Sequence, residues 1–151
     1  MTDAPQPTEN DPLWQAYRRA IFSADAPGGR MTIRIDQNHP VLDEAVAQAG
    51  CDCWCFITAW NPASEPLDPE ENATRNAALA AELKREGRVF YPGRGQDAEG
   101  AWPAGESFLV LGLQREVARQ AGQRHGQNAV VWGEVGGPAQ LIDSRGPQPQ
   151  R

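Results

Sequence analysis

Asn72, Arg75 and Asn76 lie three and four positions apart, so a helix carrying them presents all three on one side. Together with Glu106 they supply two carboxamides that donate and accept, a guanidinium that neutralises an anion, and a carboxylate able to carry a proton. Arg75 shares its helical stripe with Leu79 and Leu83, so its guanidinium is expected to be partly covered and to need an acceptor. Two chemistries fit. Arg75 serves a ligand, with the free N–H groups of the helix's first turn helping to hold an anion, or it forms a structural ion pair with Glu106. The asparagines likewise either touch that ligand or cap the helix and tie down the proline-rich loop before it.

Trp60 and Trp102 offer faces on which a planar ligand could stack, against the simpler reading of packing beside a small core. Asn61 ends a strand-like run at Asn61-Pro62, and Gln127 and Asn128 precede another strand pattern. Ser107 stands beside Glu106 without a histidine partner, which gives a nucleophilic triad no support. Gly93-Arg-Gly95 is followed by no helix within two or three residues, so it reads as a flexible loop and not a phosphate cradle. His39 precedes Pro40 and is expected at the surface, while His125 ends a helix where a cation is favourable. Cys51, Cys53 and Cys55 cannot converge on one metal ion, because the first and last are about 13 Å apart along an extended strand. They are expected to be reduced, mostly buried thiols, and neither a metal nor a cofactor is expected.

The elements that must position these residues follow from periodicity. Asp11-Pro12 starts an amphipathic helix through Leu13, Ala16, Tyr17, Ala20 and Ile21 that stops before Pro27-Gly28-Gly29. A short strand covers 31–35, and Asn38 caps a second helix that ends at Gly50. The run from Cys53 to Trp60 has no polar residue until Thr58 and is therefore a central strand buried on both faces. A proline loop, a helix over 70–86, strands over 88–94 and 107–113 joined by a loop, a helix over 114–126, and strands over 128–133 and 139–142 complete the order.

The chain has 151 residues and a formal charge of −6, enough for one domain with a real core and unfavourable for extended nucleic-acid contact. A single domain is expected over 11–143, with disordered tails over 1–10 and 144–151. The polar N-terminus and the lack of long apolar runs argue against a membrane segment and make the cytoplasm the default compartment.

From Cys53 onward the order is strand, helix, strand, strand, helix, strand. That predicts an α+β fold with a ferredoxin-like βαββαβ core, a mainly antiparallel sheet packed by helices, extended by an N-terminal helix-strand-helix and a short C-terminal strand. In this arrangement the end of the Cys53 strand, the start of the 70–86 helix, the loop 94–107 and the turn Gly126-Gln127 meet at one edge of the sheet.

Four ordered motifs lie at those places: Thr58-Ala-Trp-Asn-Pro-Ala-Ser64, Glu71-Asn72 to Arg75-Asn76, Glu106-Ser-Phe-Leu-Val-Leu-Gly112 and Gly126-Gln-Asn-Ala-Val-Val-Trp132. Over roughly residues 14–133 the chain resembles the bacterial family called domain of unknown function 3293. The resemblance implies a short stand-alone protein in which these residues recur, Thr58 and Ser107 among them, and it brings no activity with it.

The candidate ligand site therefore comprises Thr58, Trp60, Asn61, Asn72, Arg75, Asn76, Trp102, Glu106, Ser107 and Gln127, with a small polar or anionic, nucleotide-like molecule as the expected ligand. The alternatives are a small hydrolase or transferase using Glu106 and Arg75 in the same cleft, and a protein-interaction module in which the motifs only brace loops.

Overall fold

Cys53 to Ile57 has no polar side chain and is buried at every position, which fixes it as an interior strand with apolar layers on both sides. The computed structural model describes residues 12–61, 66–96 and 105–145. Its elements in chain order are α1 (Pro12–Arg19), β1 (Ile21–Ala26), β2 (Gly29–Ile33), α2 (Pro40–Gln48), β3 (Cys53–Ile57), α3 (Pro69–Arg85), β4 (Val89–Gln96), β5 (Gly105–Leu111), α4 (Arg115–Arg124), β6 (Ala129–Glu134) and β7 (Gln140–Asp143). The strands form one seven-stranded sheet in the order β2-β1-β4-β5-β3-β6-β7, with every neighbouring pair antiparallel.

The sheet is thus wider than the four-stranded core that the sequence predicts. β4, β5, β3 and β6 stand side by side within it, while β1 and β2 extend it past β4 and β7 extends it past β6. The main addition is β1, in a segment expected to be helical. Helical spacing does run through Ala20 and Ile21, but the left-handed glycines 28 and 29, with φ of 99° and 117°, turn the chain into a tight hairpin. Pairing on both sides, to β2 and β4, then overrides local helix preference in Ile21–Ala26.

Two apolar layers sandwich the sheet. On one face Leu79 and Leu83 of α3 and Ala118 and Ala121 of α4 pack on Cys53, Cys55, Ile57 and Val130. On the other, Leu42 and Val46 of α2 pack on Trp54, Phe56, Leu109, Leu111 and Val131. Cys53 and Cys55 are buried free thiols, and burial first, then nearby acidic groups, pushes the Cys53 thiol up to about 11.

The sheet curls until its two ends meet at one side. Ile35, just after β2, bridges Ala139, just before β7. Backbone bonds from Asp36 N–H to Ala139 O at 2.8 Å and from Ala139 N–H to Gln37 O at 3.0 Å close this seam, and Asn38 Nδ2 donates to Gly136 O. Asn38 is therefore occupied in the seam. The residue at the start of α2 is His39, which makes no side-chain cap bond. Gly50 and Gly87, both left-handed, do end α2 and α3, and the next N–H closes onto the fifth carbonyl back: Cys51 onto Val46 and Arg88 onto Leu83.

His39 is half-buried, with its ring edge-on to Trp54 at 6.4 Å between centroids. Its Nε2 accepts the Arg34 N–H at 3.1 Å, which requires a neutral ring. Burial lowers its pKa from the usual 6.5, and nearby Asp43 opposes this. The unfolded chain therefore takes up a proton near pH 6.5 that the folded ring refuses, so stability is complete above that pH and is lost as the pH falls towards the folded value. A melting series from pH 8 to 5 should show this decline, and His39→Gln should flatten it. An unchanged slope in the variant would assign the decline to other groups.

At the C-terminal end, Ser144 is fully buried and its hydroxyl donates to Gln127 O at 2.7 Å. Arg145 lies over the Trp14 ring at 5.6 Å. Both residues fall within 144–151, which the sequence predicts to be a disordered tail.

Candidate functional site

The chain leaves β3 through Thr58 and Trp60 to Asn61, and side chains from the first two turns of α3 hold this exit in place. The Thr58 hydroxyl donates to Glu106 O and accepts the Trp60 N–H at 3.0 Å, a tight local turn. Asn76 Oδ1 accepts the Ala59 N–H at 2.8 Å, while its Nδ2 donates to Glu106 O at 2.9 Å. One carboxamide thus joins the end of β3 to the start of β5. Asn72 repeats the device one turn earlier: its Oδ1 accepts the Asn61 N–H at 2.8 Å, and its Nδ2 donates to Asn61 Oδ1 at 2.7 Å and to Leu67 O at 3.3 Å. Asn61 has φ of 46°, a left-handed conformation that asparagine tolerates better than most residues.

Asn72 and Asn76 are 2% and 3% exposed, so these bonds replace the water both carboxamides lose on folding. Their bracing of the loop is the structural role that competed with ligand contact in the sequence. Asn72 nevertheless also lines the cavity described next.

Beside this brace lies a cavity of about 560 Å³, at the end of the curled sheet away from α2. Its apolar walls include Leu13, Tyr17 and Ala20 from α1 and its following turn, Phe22 from β1, Phe56 from β3, Val131 from β6 and Leu141 from β7. Pro66, Leu67 and Pro69 close one side. Thr58, Asn61, Asn72, Gln96, Ser107 and Gln127 form its polar part. No charged side chain is among the described residues that line it.

The floor depends on two glycines of β4. Gly93 and Gly95 lie under the rings of Phe56 and Phe22, which pack against each other at 5.2 Å. Gly93-Arg-Gly95, expected as a flexible loop, is therefore strand, and its lack of side chains makes room for the aromatic floor.

The structure brings Thr58, Trp60, Asn61, Asn72, Ser107 and Gln127 to this one cavity, with Asn76 directly behind them. Ser107 is buried on β5. Gln127 Nε2 donates to the carbonyls of Trp60 and His125, each at 3.3 Å, and so links the turn after α4 to the exit of β3. That turn is anchored in its own right. Burial opposes ionisation of Glu82, but hydrogen bonds from Arg124 and His125 outweigh it and hold the Glu82 carboxyl below its usual range.

Arg75 and Glu106 are not brought into the cavity. Arg75 is exposed and stands 3.6 Å from Glu71 one turn away, so the expectation of a partly covered guanidinium is corrected: on the wheel it lies at the solvent edge of the Asn72-Asn76-Leu79-Leu83 stripe. The expected pair with Glu106 is replaced by this surface pair. Glu106 is exposed, and its backbone carbonyl, not its carboxylate, carries the contacts of the brace. Trp102 lies outside the described residues.

The sequence reasoning missed the apolar walls. Their signal was present in the alternation Phe22-Ser23-Ala24-Asp25 just before Pro27-Gly28-Gly29, a strand pattern followed by a hairpin turn. No helix among the described residues is long and apolar enough to cross a membrane, and no group of three metal-ligating side chains occurs among them. No curated protein and no solved structure matches the chain. Residues 57–130 match the family model described as Protein of unknown function (DUF3293), which supports membership of that family.

Proposed function

We propose that this protein is a binding domain for a small molecule, held in the cavity at the open end of the curled sheet, on a ferredoxin-like arrangement formed by β3, α3, β4, β5, α4 and β6. The observation that carries the reading is the cavity itself. Its volume of about 560 Å³ falls within the roughly 300 to 1,000 Å³ of small-molecule sites, and its apolar walls with a few polar groups at one end match their usual make-up. The buried bonds of Asn72 and Asn76 support it further, because they fix the polar end before any ligand arrives. The anionic form of the sequence expectation has no support in the cavity, where Arg75 is absent from the lining.

The test uses prodan, an uncharged naphthalene dye whose emission reports an apolar site. Saturable binding at one site per chain is expected. Ala129→Trp, which adds an indole to a cavity-lining position at the start of β6, should weaken it at least tenfold while the protein stays folded. Arg75→Met should leave the affinity unchanged and cost at most about 1 kcal/mol, as loss of an exposed pair does. Undiminished binding by the folded Ala129→Trp protein would place the dye elsewhere and remove the reading.

A further inference from the structure

The two carboxamides at the polar end of the cavity are oriented by their neighbours. Two donors, the Leu67 N–H at 3.0 Å and Asn72 Nδ2 at 2.7 Å, meet the Asn61 side chain at one atom, which must be its oxygen. Asn61 Nδ2 is then left with no protein acceptor among the described residues. Gln127 has the reverse arrangement: two carbonyls, of Trp60 and His125, face its nitrogen. Its Oε1 is left with no protein donor among the described residues. The cavity therefore offers one fixed donor and one fixed acceptor next to the aromatic floor of Phe22 and Phe56.

An ion entering this space would give up hydration and meet no opposite charge among the described residues. A purely apolar guest would bury both amide groups and leave them unsatisfied, which is unfavourable for each. A guest with its own carbonyl and N–H side by side satisfies both. We propose that the ligand is an uncharged, flat molecule with an amide or lactam edge, its carbonyl accepting from Asn61 Nδ2, its N–H donating to Gln127 Oε1, and its apolar body against Phe22 and Phe56. This rests on the small-ligand reading above and adds to it the chemical class of the ligand.

Four probes of one shape decide it: 2-naphthamide, 2-naphthoate, 2-naphthamidine and 2-methylnaphthalene, titrated into the full chain by calorimetry or ligand-observed NMR. The amide should bind at least about tenfold tighter than each of the other three, the difference expected when a polar site is left unpaired or a charge is left uncompensated. Asn61→Asp keeps an oxygen for Leu67 and Asn72 and replaces the free donor by a carboxylate oxygen, so it should invert the order in favour of the amidine. Equal or tighter binding of the naphthoate, the amidine or 2-methylnaphthalene to the parent protein overturns the amide-edge assignment while leaving the cavity as a binding site. Should Asn61→Asp fail to fold, the parent series alone decides. If none of the four binds, 2-methylnaphthalene included, the small-ligand reading falls together with this one.

Discussion

Asn76→Ala should destabilise the protein by about 3 kcal/mol and lower its melting temperature by roughly 10 °C, although it removes only a carboxamide from a helix that favours alanine. The side chain is buried, and it satisfies the Ala59 N–H from one strand exit while donating to Glu106 O at the start of another. After truncation Glu106 O still receives the Thr58 hydroxyl, but the Ala59 N–H, on a residue 1% exposed, has nothing to bond to. That stranded donor accounts for most of the expected loss, because an unsatisfied buried group costs about 1 to 3 kcal/mol beyond the lost bond. Asn76→Asp sharpens the test. Its carboxylate would keep an acceptor for Ala59 and set a second oxygen against the Glu106 carbonyl, so this variant should be least stable at neutral pH and recover as acid protonates it. Chemical denaturation of the three proteins at pH 4.5 and 7.5 measures both effects. A loss below about 1 kcal/mol for Asn76→Ala would mean that water replaces the carboxamide and that the brace is not what fixes the strand exit.

Gly93→Ala should cost about 3 kcal/mol, at the upper end of ordinary overpacking, and should also disturb the cavity floor. A Cβ at this position would come within 2.5 Å of Ser23 O and 2.8 Å of the Phe56 ring. The ring could swing into the cavity. The carbonyl belongs to the β1 backbone and is held in register with Arg94 and Thr32, so relief there means separating β1 from β4. Gly95→Ala is the control, since its Cβ would meet no backbone atom among its nearest neighbours, only the Phe22 ring at 3.2 Å and the Phe56 ring at 4.0 Å, and it should cost about 1 kcal/mol. Near-equal melting temperatures for the two variants would show that β1 gives way more easily than its pairing on both sides suggests.

How far the sequence foretold these features depends on whether the controlling interactions are local. The extent of α3, its end at Gly87 and the burial of β3 were legible, because helix periodicity, a left-handed stop and an unbroken apolar run act within a few residues. The gathering of Trp60, Asn61, Asn72, Ser107 and Gln127 was legible through topology, since the order of strands and helices forces their ends together. Arg75 misled because a helical wheel gives an angle and not the position of the neighbouring layer. At the edge of the stripe a turn of about 40° separates the buried Leu79 from an exposed guanidinium. β1 leaves only the short alternation before Pro27-Gly28-Gly29 in the sequence, and its place between β2 and β4 was not legible, as Phe22, Ala24 and Ala26 gain their burial from strands far along the chain. The emptiness at Gly93 was hidden for the same reason. A glycine that serves the ring of a residue on another strand looks, in sequence, like one that serves a turn.

The seam at Ile35 and Ala139 bears on how the chain reaches this structure. Asn38 and Gly136, which help to close it, are 98 positions apart, so the entropy of a very long loop must be spent before these contacts return anything. Contacts of that separation slow folding, and local units such as the β1–β2 hairpin and α3 have no such delay. The seam should then form late, with Ile35, Asn38 and Ala139 contributing to the unfolding barrier and little to the folding rate, so that weakening any of them shortens the lifetime of the native state more than it retards its formation. During synthesis the partner for the residues after β2 leaves the ribosome only after every element from α2 to β6 has been made, and until it arrives one margin of the sheet has its N–H and C=O groups unpaired, open to a neighbouring chain.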